Sequence, residues 1–158
     1  MKDFTHINDK GQATMVDVSE KQVSLRTAIA RSIIVMPEEV IEQLIVDNLN
    51  TKKGAVFQTA IIAGVMAAKK TGELIPLCHP LGLDSCKINI HINDQKEIVI
   101  DCATTIHAKT GIEMEALVGA TIAALTIYDM CKALSKDIVI KETKLIEKTG
   151  GKHDFKRT

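Results

Sequence analysis

KINIHINDQKEIVIDCATTI, residues Lys87–Ile106, is the stretch on which the fold turns. Ile88, Ile90 and Ile92 alternate with Lys87, Asn89 and His91, the period of a half-buried strand. Asn93-Asp94-Gln95-Lys96 supplies turn residues, and Glu97–Ile106 reads as the returning strand, so the stretch is an antiparallel hairpin. Downstream, Thr110 followed by Glu113 reads as a capping box opening a helix to about Ser135, and Ile138–Ile146 as a final strand. Upstream, Val23, Leu25 and Ile29 lie opposite Ser24 and Arg26 in a strand that continues through Ile33–Val35. Pro37-Glu38-Glu39 then opens a helix, with proline and acids in its first turn and an apolar stripe of Val40, Ile41, Leu44 and Ile45. Asn48–Gly54 ends it as a loop.

Ala55–Lys70 is apolar nearly all round, with small residues Ala60, Gly64 and Ala68 every fourth position. A helix without a polar face must be buried, and in a small protein that suggests packing against another subunit. Thr71-Gly72 stops it, and Leu74–Pro80 is irregular. The resulting order of strand, two helices, two strands, helix and strand matches an α+β plan. It is a ferredoxin-like split βαβ with one extra helix, an antiparallel sheet carrying its helices on one face. Residues 1–158 read as one domain, with 1–20 an arm and 147–158 a tail.

Composition narrows the function. Of 158 residues 46% are apolar and 25% charged, which argues against disorder. Twenty Lys and Arg balance twenty Asp and Glu, so there is no basic excess to attract nucleic acid. One Tyr, three Phe and no Trp leave little to stack on bases. The longest uncharged runs, Gly54–Ala68 and Ala116–Tyr128, fall short of the roughly 20 residues of a membrane span. MKDFTHINDKG lacks a signal-peptide apolar stretch, and Cys78, Cys86, Cys102 and Cys131 form no CxxC, so a reduced, cytoplasmic protein is expected.

His79 sits in a loop within LCHP, where a surface or hydrogen-bonded role competes with a catalytic one. Cys78, His79, Cys86, His91, Cys102 and His107 show no standard zinc spacing, so no metal site is expected. The last predicted helix carries Glu113 and Glu115 at its start and Asp129 and Lys132, three apart, near its end. A surface ion pair is the bland reading of the latter two. At helical rise Glu115 and Asp129 lie about 21 Å apart, so if both act, the ligand is long or the site spans an interface. Lys148-Thr149-Gly150-Gly151-Lys152 reads equally as an anion-cradling loop or a flexible tail. Lys52-Lys53-Gly54 precedes a helix N-terminus, a ready place for phosphate. An acid–base pair with separated cationic loops suits a small polyphosphate.

FTHIN (Phe4–Asn8), MVDVS (Met15–Ser19), IAGVMAAKKT (Ile62–Thr71), ELIPLCHPL (Glu73–Leu81), KTGIEMEAL (Lys109–Leu117), AALTIYDMCKA (Ala123–Ala133) and KTGGK together resemble the MoaC family. That family makes cyclic pyranopterin monophosphate in molybdenum cofactor biosynthesis. The resemblance implies a homohexamer, a trimer of dimers, with active sites at subunit interfaces. It implies a lyase acting on (8S)-3′,8-cyclo-7,8-dihydroguanosine 5′-triphosphate, supplied by an upstream radical enzyme, with release of pyrophosphate and without metal or organic cofactor. The family's catalytic groups fall on Asp129, Lys132, Lys53 and His79. Its substrate contacts fall on Leu77, Cys78, His79, Met114 and Glu115, with Arg26, Lys69 and Lys148 toward the triphosphate. Desolvation and neighbouring cations would lower a lysine's pKa for proton transfer, and Asp129 would oppose that.

The sequence departs from the family pattern in three places. Ala55 stands where aspartate is common, Ile61 where arginine is common, and GGKHDF is one residue shorter than usual. Two other readings compete with an enzyme. A nucleotide-binding regulator would bind without releasing pyrophosphate, and a scaffold subunit would be indifferent to changes at Lys53, Asp129 or Lys132.

Overall fold

The computed structural model describes residues 6–158, so Phe4 and Thr5 of the FTHIN segment lie outside the described residues. The chain runs β1 (Ser24–Val35), α1 (Glu38–Val46), β2 (Asn50–Thr51), β3 (Gly54–Ala55), α2 (Val56–Lys69), α3 (Thr71–Leu74), β4 (Ser85–Ile92), β5 (Ile98–Ala108), α4 (Glu113–Cys131), β6 (Val139–Thr149) and β7 (Phe155–Lys156). Five strands form one antiparallel sheet in the order β4-β5-β1-β6-β7. Without the small β7, that is the strand order of the expected ferredoxin-like α+β plan. The deciding hairpin is closed by Asn93, whose Oδ1 accepts from the Gln95 N–H at 3.1 Å and the Glu97 N–H at 2.8 Å.

Alternation along the strands sends one set of side chains under the helices. Ala28, Ala30, Ser32 and Ile34 of β1 and Ile98, Ile100, Cys102 and Thr104 of β5 are buried there. The alternate residues form the other face, where Arg31 grips Asp101 through two bonds of 2.7 and 2.8 Å across a register pair. On the helix side α4 lies over β1, β5 and β6, and α2 packs on α4 and β4. α1 adds Val40, Ile41 and Leu44 to the same core as Ile34, Ile98 and Ile127.

The small stripe of α2 meets α4 of its own chain. A Cβ on Gly64 would come within 2.7 Å of the Gly119 carbonyl oxygen and 3.1 Å of Ala123 Cβ. The stripe is therefore filled within the chain, which leaves the packing against another subunit expected of this all-round apolar helix to its opposite face. Ala60, Gly64 and Ala68 are buried within the chain, while the opposite face leaves Ile62 and Met66 exposed. Gly64→Ala is expected to destabilise the fold by about 1–3 kcal/mol, because backbone carbonyl cannot yield as a side-chain tip can. A fall in the urea midpoint at unchanged m-value checks this.

Other expectations shift. α4 begins after Ile112 with no side-chain cap, so Thr110 and Glu113 do not form a capping box. The Glu113 carboxylate is instead 2.9 Å from Lys148 Nζ on β6. The helix ends at Cys131, and Lys132–Leu134 continue only as a turn. β6 reaches Thr149 rather than stopping at Ile146, and β7 returns to pair with Glu147 and Lys148. The loop expected over 48–54 contains the tiny β2–β3 hairpin. By length and composition α4 is also long and apolar enough to cross a membrane, although no single uncharged run is; half of it is buried between α2 and the sheet.

Candidate functional site

Two side-chain clusters sit at opposite ends of α4. At its N-terminus, two contiguous hollows of about 530 and 510 Å³ share Lys21, Thr110, Gly111, Glu113 and Lys148. One is walled by the start of β1 and the end of β6, bringing Arg26, Lys148 and Lys152 together with Lys21. The other is walled by the loop before β4 and the first turn of α4, bringing Leu77, Cys78, His79, Met114 and Glu115 together. Seven of the residues expected at a site thus share one groove. Lys21, which carries no motif and lies beside the expected arm, was missed as a candidate. Its only signal was five-residue proximity to Arg26.

Each wall has a local cause. Gly150 adopts φ +83°, and a Cβ there would strike the Leu25 carbonyl oxygen, so β6 can turn over the start of β1 only with glycine. Asp154 Oδ1 accepts the Gly150 N–H at 3.0 Å and Ser24 Oγ donates to the Gly150 carbonyl at 2.9 Å. The shortened GGKHDF end therefore closes the turn itself, and Lys148 and Thr149 stand in a strand rather than in a flexible tail. Arg26 donates to the carbonyls of Ala108 and Lys109, each at 3.3 Å, which fixes its guanidinium at the groove wall. His79 Nε2 donates to the Val16 carbonyl oxygen at 2.8 Å, leaving Nδ1 as the ring's other polar atom.

Glu115 is a buried carboxyl, 3% exposed. Burial pushes its pKa above the ordinary value of 4.5, its own backbone N–H partly offsets that, and the nearby Glu113 charge adds to the rise. The Cys78 thiol is raised by burial and then by the Glu115 charge. A carboxyl with a raised folded pKa opposes folding increasingly as pH climbs from its unfolded value through its folded one. Glu115→Gln is therefore expected to melt higher than the parent at neutral pH by about 2–4 °C, the shift that about 1 kcal/mol produces in a domain of this size. Thermal melts across the acid range check the sign, because the gap should close as pH falls below the ordinary glutamate value.

At the other end of α4, Asp129 is held between two ammonium groups. Lys53 Nζ lies 2.8 Å from Oδ2 and 2.9 Å from the Asp129 carbonyl oxygen, and Lys132 Nζ lies 2.7 Å from Oδ1. The tight turn between β2 and β3 delivers Lys53, whose ammonium reaches Asp129 rather than waiting free beside the α2 N-terminus. Hydrogen bonds from Lys132 and then Lys53 hold the Asp129 pKa down at about 2. Asp129 in turn raises the Lys132 pKa above its ordinary value, which corrects the expectation of a lowered lysine: desolvation opposes the rise but is outweighed. All three side chains are about half exposed, 49% to 55%.

Lys69 belongs to neither cluster and lines a smaller hollow beside Leu81 and Cys86. Ala55 occupies the N-cap of α2 without a cap bond, so the aspartate common there would serve as a cap, an effect of about 1 kcal/mol. Nothing in the structure explains isoleucine at position 61. Among the described residues, no three His, Cys, Asp or Glu side chains converge to hold a metal ion.

The sequence pattern of the MoaC family matches residues 15–151. The chain is 53% identical over 95% of its length to molybdenum cofactor biosynthesis protein 1 of Dictyostelium discoideum, of which it spans 26%. It is 52% identical over 98% of its length to the molybdenum cofactor biosynthesis bifunctional protein of a Synechocystis strain, of which it spans 46%. It thus spans less than half of these two longer relatives. Against the cyclic pyranopterin monophosphate synthase of Xanthomonas axonopodis pv. citri, identity is 51% over 96% of the chain and 92% of that protein. A family match across most of the chain, joined to about half identity over nearly its whole length, establishes that this chain belongs to the MoaC family.

Proposed function

We propose that this chain is a lyase of molybdenum cofactor biosynthesis that converts (8S)-3′,8-cyclo-7,8-dihydroguanosine 5′-triphosphate to cyclic pyranopterin monophosphate and pyrophosphate. The observation that carries this reading is its near full-length likeness to a relative named for that product. The local chemistry is compatible. Lys21, Arg26, Lys148 and Lys152 gather positive charge around one groove, suited to a triphosphate. A cyclic phosphate closes when a hydroxyl attacks the α-phosphorus and pyrophosphate leaves, and fixed cations favour that step by neutralising the leaving charge.

The remaining roles follow from the same reading. Lys132, kept as an ammonium by Asp129, acts as proton donor during the ring rearrangement, and Lys53 shares the carboxylate as a second donor. Glu115, His79, Cys78, Leu77 and Met114 contact the base-derived end of the substrate. Lys69, outside the groove, takes part through a neighbouring subunit or only at long range. The separation of the two clusters along α4 is about 21 Å, which favours sites shared between subunits of a homohexamer built as a trimer of dimers. The exposed apolar face of α2, with Ile62 and Met66, is a surface available for such assembly. A radical enzyme supplies the substrate, no cofactor takes part, and the work is done in the cytoplasm.

The test is to incubate the protein with the cyclic triphosphate and follow pyrophosphate and the pterin product together. Stoichiometric appearance of both supports the lyase. Binding without pyrophosphate, by correctly assembled protein, would establish the regulator in its place.

A further inference from the structure

Two cysteines outside the proposed chemistry lie within reach of one another. Cys86 on β4 and Cys102 on β5 point to the same face of the sheet as diagonal neighbours, two residues off direct pairing, since Cys86 faces Thr104 and Cys102 faces Ile88. Their sulfurs are 3.8 Å apart. Cys102 is fully buried and backed by α4, where a Cβ on Gly119 would come within 2.6 Å of its sulfur. Cys86 is half-buried and lines a hollow of about 320 Å³ that also contains Lys69. One thiol of the pair is thus reachable by a small solute and the other is held behind it.

The rest of the geometry suits the same chemistry. Among the described residues β4 is an edge strand, bonded only to β5, so Cys86 can move while Cys102 stays pinned under the helix. The sulfur–sulfur contact sets the two thiols apart, lowering the Cys86 pKa against the effect of burial and raising that of Cys102. That favours the thiolate on the accessible sulfur, the form that reacts. Cys78 and Cys131 have no sulfur partner among the described residues, and burial raises both thiols.

We propose that Cys86 and Cys102 form a peroxide-responsive thiol pair, with Cys86 the sulfur attacked first and Cys102 the resolving sulfur. The Cys86 thiolate attacks one peroxide oxygen, the O–O bond breaks, and the departing hydroxide takes up a proton from solvent, balancing the one Cys86 lost on ionising, to leave as water. Cys102 then attacks the sulfenic sulfur; the S–S bond forms, the S–OH bond breaks, and hydroxide leaves with the Cys102 proton as a second water. Two thiols are oxidised by two electrons and one peroxide is reduced. Closing the bond needs the sulfurs to approach from 3.8 Å to about 2.05 Å, a movement the edge strand supplies.

The test treats the intact protein with hydrogen peroxide, alkylates remaining thiols after denaturation, and maps the products by fragment-ion sequencing. The expected result is loss of two alkylatable thiols per chain, joined as a Cys86–Cys102 disulfide that dithiothreitol reverses. In Cys86→Ser, a substitution at a half-buried edge position that spares the core, Cys102 is expected to remain alkylatable after the same treatment. Folded protein in which Cys86 and Cys102 both stay alkylatable, or in which Cys86 is over-oxidised while Cys102 stays free, would overturn the proposal. So would Cys102 oxidising equally well in Cys86→Ser.

Discussion

Asp129→Asn is expected to lower pyrophosphate release by about 10²- to 10⁴-fold, the range for removing a group that governs proton transfer. The melting temperature should stay essentially unchanged. Asp129 is 54% exposed, and exposed ion pairs contribute little to folding because water screens them. The expected loss is therefore chemical. Asparagine preserves shape but cannot keep two ammonium groups oriented 2.7 and 2.8 Å away. Lys53→Ala removes one of the two and should fall in the same range. Parallel measurement of pyrophosphate release and thermal unfolding separates this outcome from simple misfolding.

The electrostatics of the cluster fix what pH can do to it. Asp129 has a folded pKa depressed to about 2, so it stays ionised from there upward, and its pairing is lost only as pH falls through that value. Lys132 has a raised pKa, so its ammonium persists above the ordinary lysine value. An acid limb of activity in the mildly acidic range would therefore belong to other groups, with the raised carboxyl of Glu115 the first candidate.

Much of this was legible in local pattern. The alternating isoleucines of β4, the turn residues at Asn93 and the long apolar run of α4 survive folding, and they led to the ferredoxin-like plan. β6 was shortened because Lys141, Glu142, Lys144, Glu147 and Lys148 break the alternation. Several of those charges find partners on other elements: Lys141 meets Glu97, and Lys148 meets Glu113. A register shift between Ile29 and Ala30 also changes which β6 residue faces which side, and no local pattern announces it. The capping box failed for a related reason, since the Glu113 carboxylate is taken by a lysine 35 residues away.

The site was half legible by similar logic. Rise along a helix was enough to separate Glu115 from Asp129, and the structure keeps them at opposite ends of α4. What could not be read was convergence. Lys21 joins the groove only because β1, β6 and the loop before α4 meet there. Lys53 reaches Asp129 only because the β2–β3 turn points at the far end of α4. Such pairings depend on tertiary geometry, and the residues involved look like ordinary surface lysines in the sequence.

The central claim is that groups from both ends of α4 serve one reaction across an interface, and mixing two inactive chains tests it most directly. His79→Ala disables the groove end and Asp129→Asn the opposite end, and each chain alone should be nearly inactive. Co-expressed and purified as mixed oligomers, they should regain about a quarter of the parent's pyrophosphate release, because random pairing leaves that share of composite sites with neither substitution. Mixed oligomers of verified composition that stay as inactive as either chain alone would contradict the claim.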